Sequence, residues 1–399
     1  MSTIIKREEQ FCAHNYHPLP VVLVKGEGAL VWDENGREYI DMMSAYSAVS
    51  HGHRHPKIVK ALEEQLSRLA IVSRSYYSDT LANFLQYACE LFGYDKGLPM
   101  NTGAEAVETA LKLARKWGYK VKKVPADKAE IIACRNNFHG RTIAIVGMST
   151  EEQYRDGFGP FPAGFNIIPY GDVDALEKAI TPNTVAFIVE PIQGEAGIMM
   201  PPVGYLKKCA ELCKRHNVLL IADEIQTGLG RTGKRLACDH EGVKPDILVL
   251  GKALGGGVLP ISLVLADDAI MSVLHPGDHG STFGGYALAA AVGLAALKTL
   301  EEEKLAERAE VLGERLMKGL KSISHPVIRD IRGKGLMIGI EIDPKIIHGH
   351  DLAEKFLQHG ILTKETHHVV MRLAPPLVIS EALIDRAIEA VKQVFAEVK

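Results

Sequence analysis

The 399-residue sequence predicts an α/β fold, with a large unit built on a mostly parallel, helix-covered sheet and a smaller α+β unit. Three observations predict it. From Thr102 to about Ala266, helical patterns alternate with the short apolar runs "EIIACRN", "TVAFIVE", "VLLIADE", "DILVLGK" and "ISLVLA", as in α/β units around a sheet covered on both faces. Near the start, "VVLVKGEGALVWDENGREYIDMM" alternates apolar runs with Gly and Asn-Gly turns, the pattern of a small antiparallel meander. After "SHPVIRDIRGKG" come a strand and two further helices, which form a separate set. The expected division is 1–50 for the meander, which joins the small unit, 51–290 for the large unit and 291–399 for the small one. A chain of this length exceeds the usual size of a single core.

Taken in order, "PKIVKALEEQLSRLA" opens with Pro56, suited to the first helical position, where a missing N–H costs nothing. "SDTLANFLQYACELFG" is bracketed by Ser78 or Asp79 as N-cap and Gly93 as stop. A long helical stretch from about Tyr286 to Leu300 leads out of the alternating region. "LMIGIEI" then reads as a strand, Asp351 to His359 as a helix, and the chain closes on a helix beginning at Ser380.

Apolar residues make up 47% of the chain and charged ones 24%, so a substantial core is available. The formal net charge of −3 gives no broad attraction to nucleic acid or an anionic membrane. Neither is expected as a partner. The six cysteines form no C-x-x-C pair, and Cys209 and Cys213, four apart on a helix, read as small apolar filling. The opening "MSTIIKREEQ" has acidic residues and no apolar core of signal-peptide length, and no later run approaches the ~20 apolar residues of a membrane span. The expectation is a soluble cytoplasmic protein. The alternating histidines of "HGHRHP" lack an attendant carboxylate or cysteine, and no metal site is expected there.

In an open α/β sheet, ligands bind beyond the carboxyl ends of the strands. Three predicted strands end on ionisable residues: Glu190, Asp223 and Lys252. Buried together, such groups need partners, because unpaired each costs several kcal/mol. "GLGRTGKR", Gly228 to Arg235, mimics a nucleotide loop, but it lies too far from its strand, and Arg235 stands where a Mg²⁺-binding hydroxyl is required. Pyridoxal phosphate explains more of the pattern. It needs a lysine for a Schiff base and a carboxylate to keep its ring nitrogen charged, and Lys252 and Asp223 lie on consecutive strand ends. "NTGAEA" brings Thr102, Gly103 and Ala104 into a helix start suited to the phosphate, and "GSTFGG" adds the hydroxyls of Ser281 and Thr282. Phe138 could cover one ring face and Ile225 the other.

"NTGAEA", "FHGRT", "EPIQGEAG", "LLIADEIQTGLGRTGK" and "LGKALGGG", in this order and spacing, resemble the class III aminotransferases of the fold type I pyridoxal-phosphate group. The resemblance covers nearly the whole chain. It implies that Lys252 is the Schiff-base lysine, that Asp223 pairs with the ring nitrogen, that Gln226 meets the ring's phenolic oxygen, and that Gly103, Ala104 and Thr282 hold the phosphate. In that family the equivalent of Thr282 serves the partner subunit's cofactor, so a homodimer is implied. His51 in "SHGH" and Tyr286 after "FGG" depart from the pattern only at motif edges.

"HNYHPLPVVL", "YSAVSHGHRHP" and "RLAPPLVI" resemble the branch of the class that acts on ornithine, which implies transfer of its δ-amino group to 2-oxoglutarate, giving glutamate 5-semialdehyde and glutamate with ping-pong kinetics. Such a site must accept both an α-amino acid and a terminal amine. Arg372 would grip the α-carboxylate of glutamate, and Glu195 would pair with Arg372 while ornithine presents only hydrogens there. Arg141 would hold the distal carboxylate in both halves. Tyr16 and Tyr46 would line the far end, arguing for ornithine over its N-acetylated form. N-acetylornithine and 4-aminobutyrate aminotransferases remain alternatives, and a nucleotide-binding protein using Gly228–Lys234 a remote one.

Overall fold

The computed structural model describes residues 2–398. A seven-stranded sheet forms the large unit, in the spatial order Lys96–Met100, Ser262–Ala266, Ile247–Leu250, Leu219–Asp223, Thr184–Val189, Glu130–Cys134, Phe165–Ile168. The five strands from Ile247–Leu250 to Phe165–Ile168 pair in parallel. Ser262–Ala266 runs antiparallel to both its neighbours. Only a short 3₁₀ turn, Lys252–Gly255, and a Gly-Pro loop lead into that strand, too little chain for the crossover a parallel return needs.

The strands Thr184–Val189, Leu219–Asp223, Ile247–Leu250 and Ser262–Ala266 are buried at every position, as covered central strands must be. The two edge strands escaped the sequence pattern. Lys96–Met100 contains Gly97 and Pro99, tolerated because it has a neighbour on one side only, and Phe165–Ile168 is half-buried. The helix Leu305–Lys321, which follows Ala287–Glu302, also carries no cap that the sequence would have flagged.

Helix ends follow local chemistry. Pro56 opens Pro56–Leu66, and Asp79–Phe92 stops at Gly93 in the left-handed conformation. The helix Gly103–Trp117 starts on a reciprocal capping box between Thr102 and Glu105. The helix Ala287–Glu302 runs across the expected boundary at 290/291 and links the units.

The meander Leu23–Glu27, Leu30–Asp33, Glu38–Asp41 gains a parallel partner from the far end of the chain, Ile361–Leu362. A third sheet, Ile328–Lys334, Met337–Ile342, Val370–Leu373 and Glu365–Thr366, is antiparallel and carries Arg372. No helix among the described residues is long and apolar enough to cross a membrane.

The segment "GLGRTGKR" packs rather than cradles. A Cβ on Gly230 would stand 2.9 Å from Leu300, and one on Gly233 3.1 Å from Glu310, while Arg235 pairs with Glu301 and Lys234 with Glu310. Its glycines serve close approach to two helices. The histidines of "HGHRHP" turn to three separate partners: His51 to the Ala296 carbonyl, His53 to Asp41 and His55 to Glu303.

Candidate active site

Four parallel strands deliver their carboxyl ends to one cavity, whose lining includes Gly103, Ala104, Phe138, His139, Glu190, Glu195, Asp223, Ile225, Gln226 and Lys252. Asp223 ends its strand in register with Val249 of the next, which places Lys252 just beyond on the neighbouring strand's exit. Lys252 takes φ +44°, a left-handed conformation uncommon for a residue with a side chain. Such strain persists where surrounding structure enforces it, often at reactive groups. Burial pushes the Lys252 amine below its ordinary range, only partly opposed by the charge of Glu195.

Asp223 is buried, and its carboxylate receives the Ile225 N–H at 3.1 Å and faces His139 Nδ1 at 2.7 Å. Although burial opposes it, the hydrogen bond to Asp223 raises the His139 pKa. A second buried acid, Glu190, accepts the backbone N–H of Phe138 at 2.9 Å. Burial lifts its pKa to about 8, so at neutral pH it is largely uncharged and does not repel Asp223. Sequence reasoning named Glu190 only as a strand end and missed His139. The signal for His139 was present in "NNFHGR", but nothing in the pattern said which way its ring would turn.

On the opposite side, the N–H groups of Gly103 and Ala104 find no acceptor among the described residues, since the capping box satisfies only its own members. Two free N–H groups at a helix start suit a phosphate. Ile225 lies against this turn, 3.0 Å from where a Gly103 Cβ would be.

Beside Lys252, Glu195 and Arg372 form a two-point ion pair, at 2.6 and 3.4 Å. Burial would raise the Glu195 pKa, but the charges of Arg372 and Lys252 hold it down at about 2. Gln226 donates to Glu195 at 2.9 Å, and its Oε1 is left buried without a partner. Arg372 lies 4.9 Å over the Tyr46 ring, a cation–π contact. Thr366 donates to the Glu195 carbonyl, fixing the backbone beneath the carboxylate.

Arg141 is exposed and pairs with no carboxylate among the described residues. Its guanidinium stacks 3.4 Å from the Tyr154 ring and 5.4 Å from that of Phe138. Tyr154 was not anticipated, because "EEQYRD" carries no signal beyond a short helix start. Tyr16 is 71% exposed on the N-terminal segment. Ser281, bonded to Asn101, and the exposed Thr282 are absent from the cavity lining of this chain.

The donor set fits pyridoxal phosphate: an amine, a buried carboxylate across from it, a helix start with free N–H groups, and an orphaned buried amide oxygen at Gln226. Fold and site together define a pyridoxal-phosphate-dependent transferase of amino groups. The chain belongs to the class III aminotransferases, whose family model matches residues 11–395. It is 58% identical to the ornithine aminotransferase of Geobacillus sp. (strain WCH70), over 99% of this chain and 98% of that protein. The solved ornithine aminotransferase of Toxoplasma gondii superposes with a TM-score of 0.98 at 49% identity, covering 99% of this chain and 94% of that one. An acetylornithine aminotransferase from Elizabethkingia anophelis is also similar, with a TM-score of 0.90 and 48% identity over 99% and 98% of the two chains.

Proposed function

We propose that this enzyme transfers the δ-amino group of ornithine to 2-oxoglutarate, yielding glutamate 5-semialdehyde and glutamate. One observation carries the reading: Arg372 is buried and neutralised by Glu195 beside the lysine, while Arg141 is exposed and pairs with no carboxylate among the described residues. A terminal amine brings two hydrogens to the reacting carbon, and a bare buried arginine against them would cost several kcal/mol. Glu195 removes that cost. When 2-oxoglutarate arrives, its α-carboxylate takes the place of Glu195 on the Arg372 fork. The high identity to ornithine aminotransferases supports the same substrate.

Bound pyridoxal phosphate supplies an aldehyde that accepts the amino group and a ring that takes up carbanion electrons. Gly103 and Ala104 would hold its phosphate, and Asp223, braced by His139, would keep a proton on the ring nitrogen. Phe138 and Ile225 would enclose the ring, and Gln226 would meet its phenolic oxygen. Lys252, with its amine depressed by burial, is available as a base near neutrality and moves the proton from the δ-carbon of ornithine. Arg141 grips the distal carboxylate in both halves, with Tyr16 at the far end, while Tyr46 lies against Arg372.

Thr282 acts on the cofactor of a second copy, and the enzyme is a homodimer. Thr282 is exposed, as are the large apolar side chains of Leu66, Leu69, Ile71, Tyr76, Tyr77 and Phe283.

The test is to add ornithine, N-acetylornithine, 4-aminobutyrate or lysine singly to the holoenzyme and follow the cofactor absorbance without keto acid. Fastest loss of the aldehyde signal with ornithine is expected. Faster reaction with N-acetylornithine would transfer the assignment to that substrate.

A further inference from the structure

Arg231, in the centre of "GLGRTGK", is fully buried, yet no carboxylate lies within ion-pair distance of it among the described residues. Its two terminal nitrogens reach three chain segments, while Nε is buried without a partner. One terminal nitrogen donates to the carbonyls of Leu336 and Pro375, at 2.8 and 2.6 Å. The other donates to the hydroxyls of Ser44 and Ser50, at 3.1 and 2.9 Å. Ser44 in turn donates to the Ala374 carbonyl at 2.6 Å, and Ser50 to that of Ser47 at 2.9 Å. Asp41, the acid whose charge acts on Arg231, is occupied by the N–H groups of Met43 and Ser44 and by His53. Burial pushes the Arg231 pKa down to about 9, only partly opposed by the charge of Asp41.

The segment Arg231 grips is unusual. Ser44, Ala45, Tyr46 and Ser47 have φ of +42, +46, +59 and +75°, four successive side-chain-bearing residues in the left-handed region. A free chain would abandon that geometry, so it lasts only while neighbours impose it. The imposed turn directs Tyr46 beneath the Arg372 guanidinium. Pro375, the other end of the clamp, follows Arg372 by three residues.

We propose that Arg231 is a positioning residue that clamps the left-handed turn to the segment after Arg372, holding Tyr46 and Arg372 in the register needed to receive a carboxylate at the reacting carbon. The inference rests on the reading of Arg372 as the arginine exchanged between Glu195 and the keto acid. A guanidinium suits the task because its planar fork fixes four acceptors at once, whereas an ammonium cannot. In the amine half-reaction Arg372 stays paired with Glu195, which holds it independently of Tyr46. Loosening the turn therefore acts mainly on the acceptor side.

The experiment compares the holoenzyme with Ser44→Ala/Ser50→Ala, which removes the clamp's receiving hydroxyls but keeps the charge, and with Arg231→Lys. KM for 2-oxoglutarate is expected to rise at least fivefold in the double variant, with the single-turnover rate for the donor amine within twofold of wild type and cofactor affinity unchanged. Arg231→Lys should behave likewise or worse. Equal losses on the donor and acceptor sides, or an unchanged 2-oxoglutarate KM in the double variant, would overturn the clamp. If Arg231→Lys fails to fold, the double variant alone decides. Wild-type protein that uses another amine but not ornithine would overturn the substrate assignment, while the acceptor-side comparison still judges the clamp with that amine as donor.

Discussion

Glu195→Gln keeps the shape of the side chain and removes its charge. In the wild-type protein, glutamate or 2-oxoglutarate must displace Glu195 from Arg372 before its own carboxylate can bind. Removing one partner of a buried pair costs about 3–5 kcal/mol. The Arg372 side chain is 3% exposed but Glu195 is 21% exposed toward the cavity, so water repairs part of the loss. About half, ~1.5–2.5 kcal/mol, is expected to remain as the difference between the two half-reactions. At 1.36 kcal/mol per decade this is a change of about 10- to 70-fold in their ratio, in favour of glutamate. Stopped-flow single turnovers read both halves: the cofactor's aldehyde absorbance falls with ornithine, and with glutamate in a separate mixing. The ratio of the two second-order rate constants should shift in that range. A change below threefold, or one favouring ornithine, would refute the exchange of Arg372 between Glu195 and substrate.

Three further changes probe the remaining walls. In Gly194→Ala the new Cβ would stand 1.5 Å from Gln226 Oε1, forcing that side chain away; cofactor affinity should weaken about tenfold, the loss of one hydrogen bond, and unchanged affinity in equilibrium titration would count against Gln226 as a ring contact. Tyr154→Ala removes the platform under Arg141, worth ~0.5–2 kcal/mol, and should raise KM for both substrates by about 2- to 30-fold; an effect confined to one substrate would show that Arg141 does not serve both halves. Glu190 has an ordinary pKa of 4.5 and one of about 8 in the folded protein, so between these values the folded state keeps a proton that the unfolded state has lost, and stability falls as pH rises. In Glu190→Gln the decline of Tm from pH 5 to pH 8 should be shallower, and an identical decline would disprove a neutral buried Glu190.

Much of the cofactor floor was legible because its parts are short contiguous motifs. A strand followed by Asp223, another followed by Lys252, and a capped helix at Gly103 each combine hydrophobic period with one polar stop, and chain-local patterns record both. The helix starts at Pro56, Asp79 and Glu381 were legible for the same reason. The edge strands were not, since an edge needs neither unbroken burial nor a full set of N–H donors.

Family resemblance in the sequence thus determined the class of chemistry and the cofactor, and local patterning much of the scaffold. Tertiary structure alone decided what the remaining polar groups do. Nothing local turns His139 toward Asp223, sets the Glu190 carboxyl under the Phe138 N–H, or lays Arg141 on Tyr154. The "GLGRTGK" glycines and Arg231 give the sharpest case. By spacing they imitate a phosphate loop, yet the folded chain brings Ser44, Ser50, Leu336 and Pro375 around the arginine from distant parts of the sequence. The physical reason is range: backbone geometry and periodicity are fixed by neighbours a few residues apart, whereas the partner of a buried charge is whatever group the completed fold leaves within 3 Å of it.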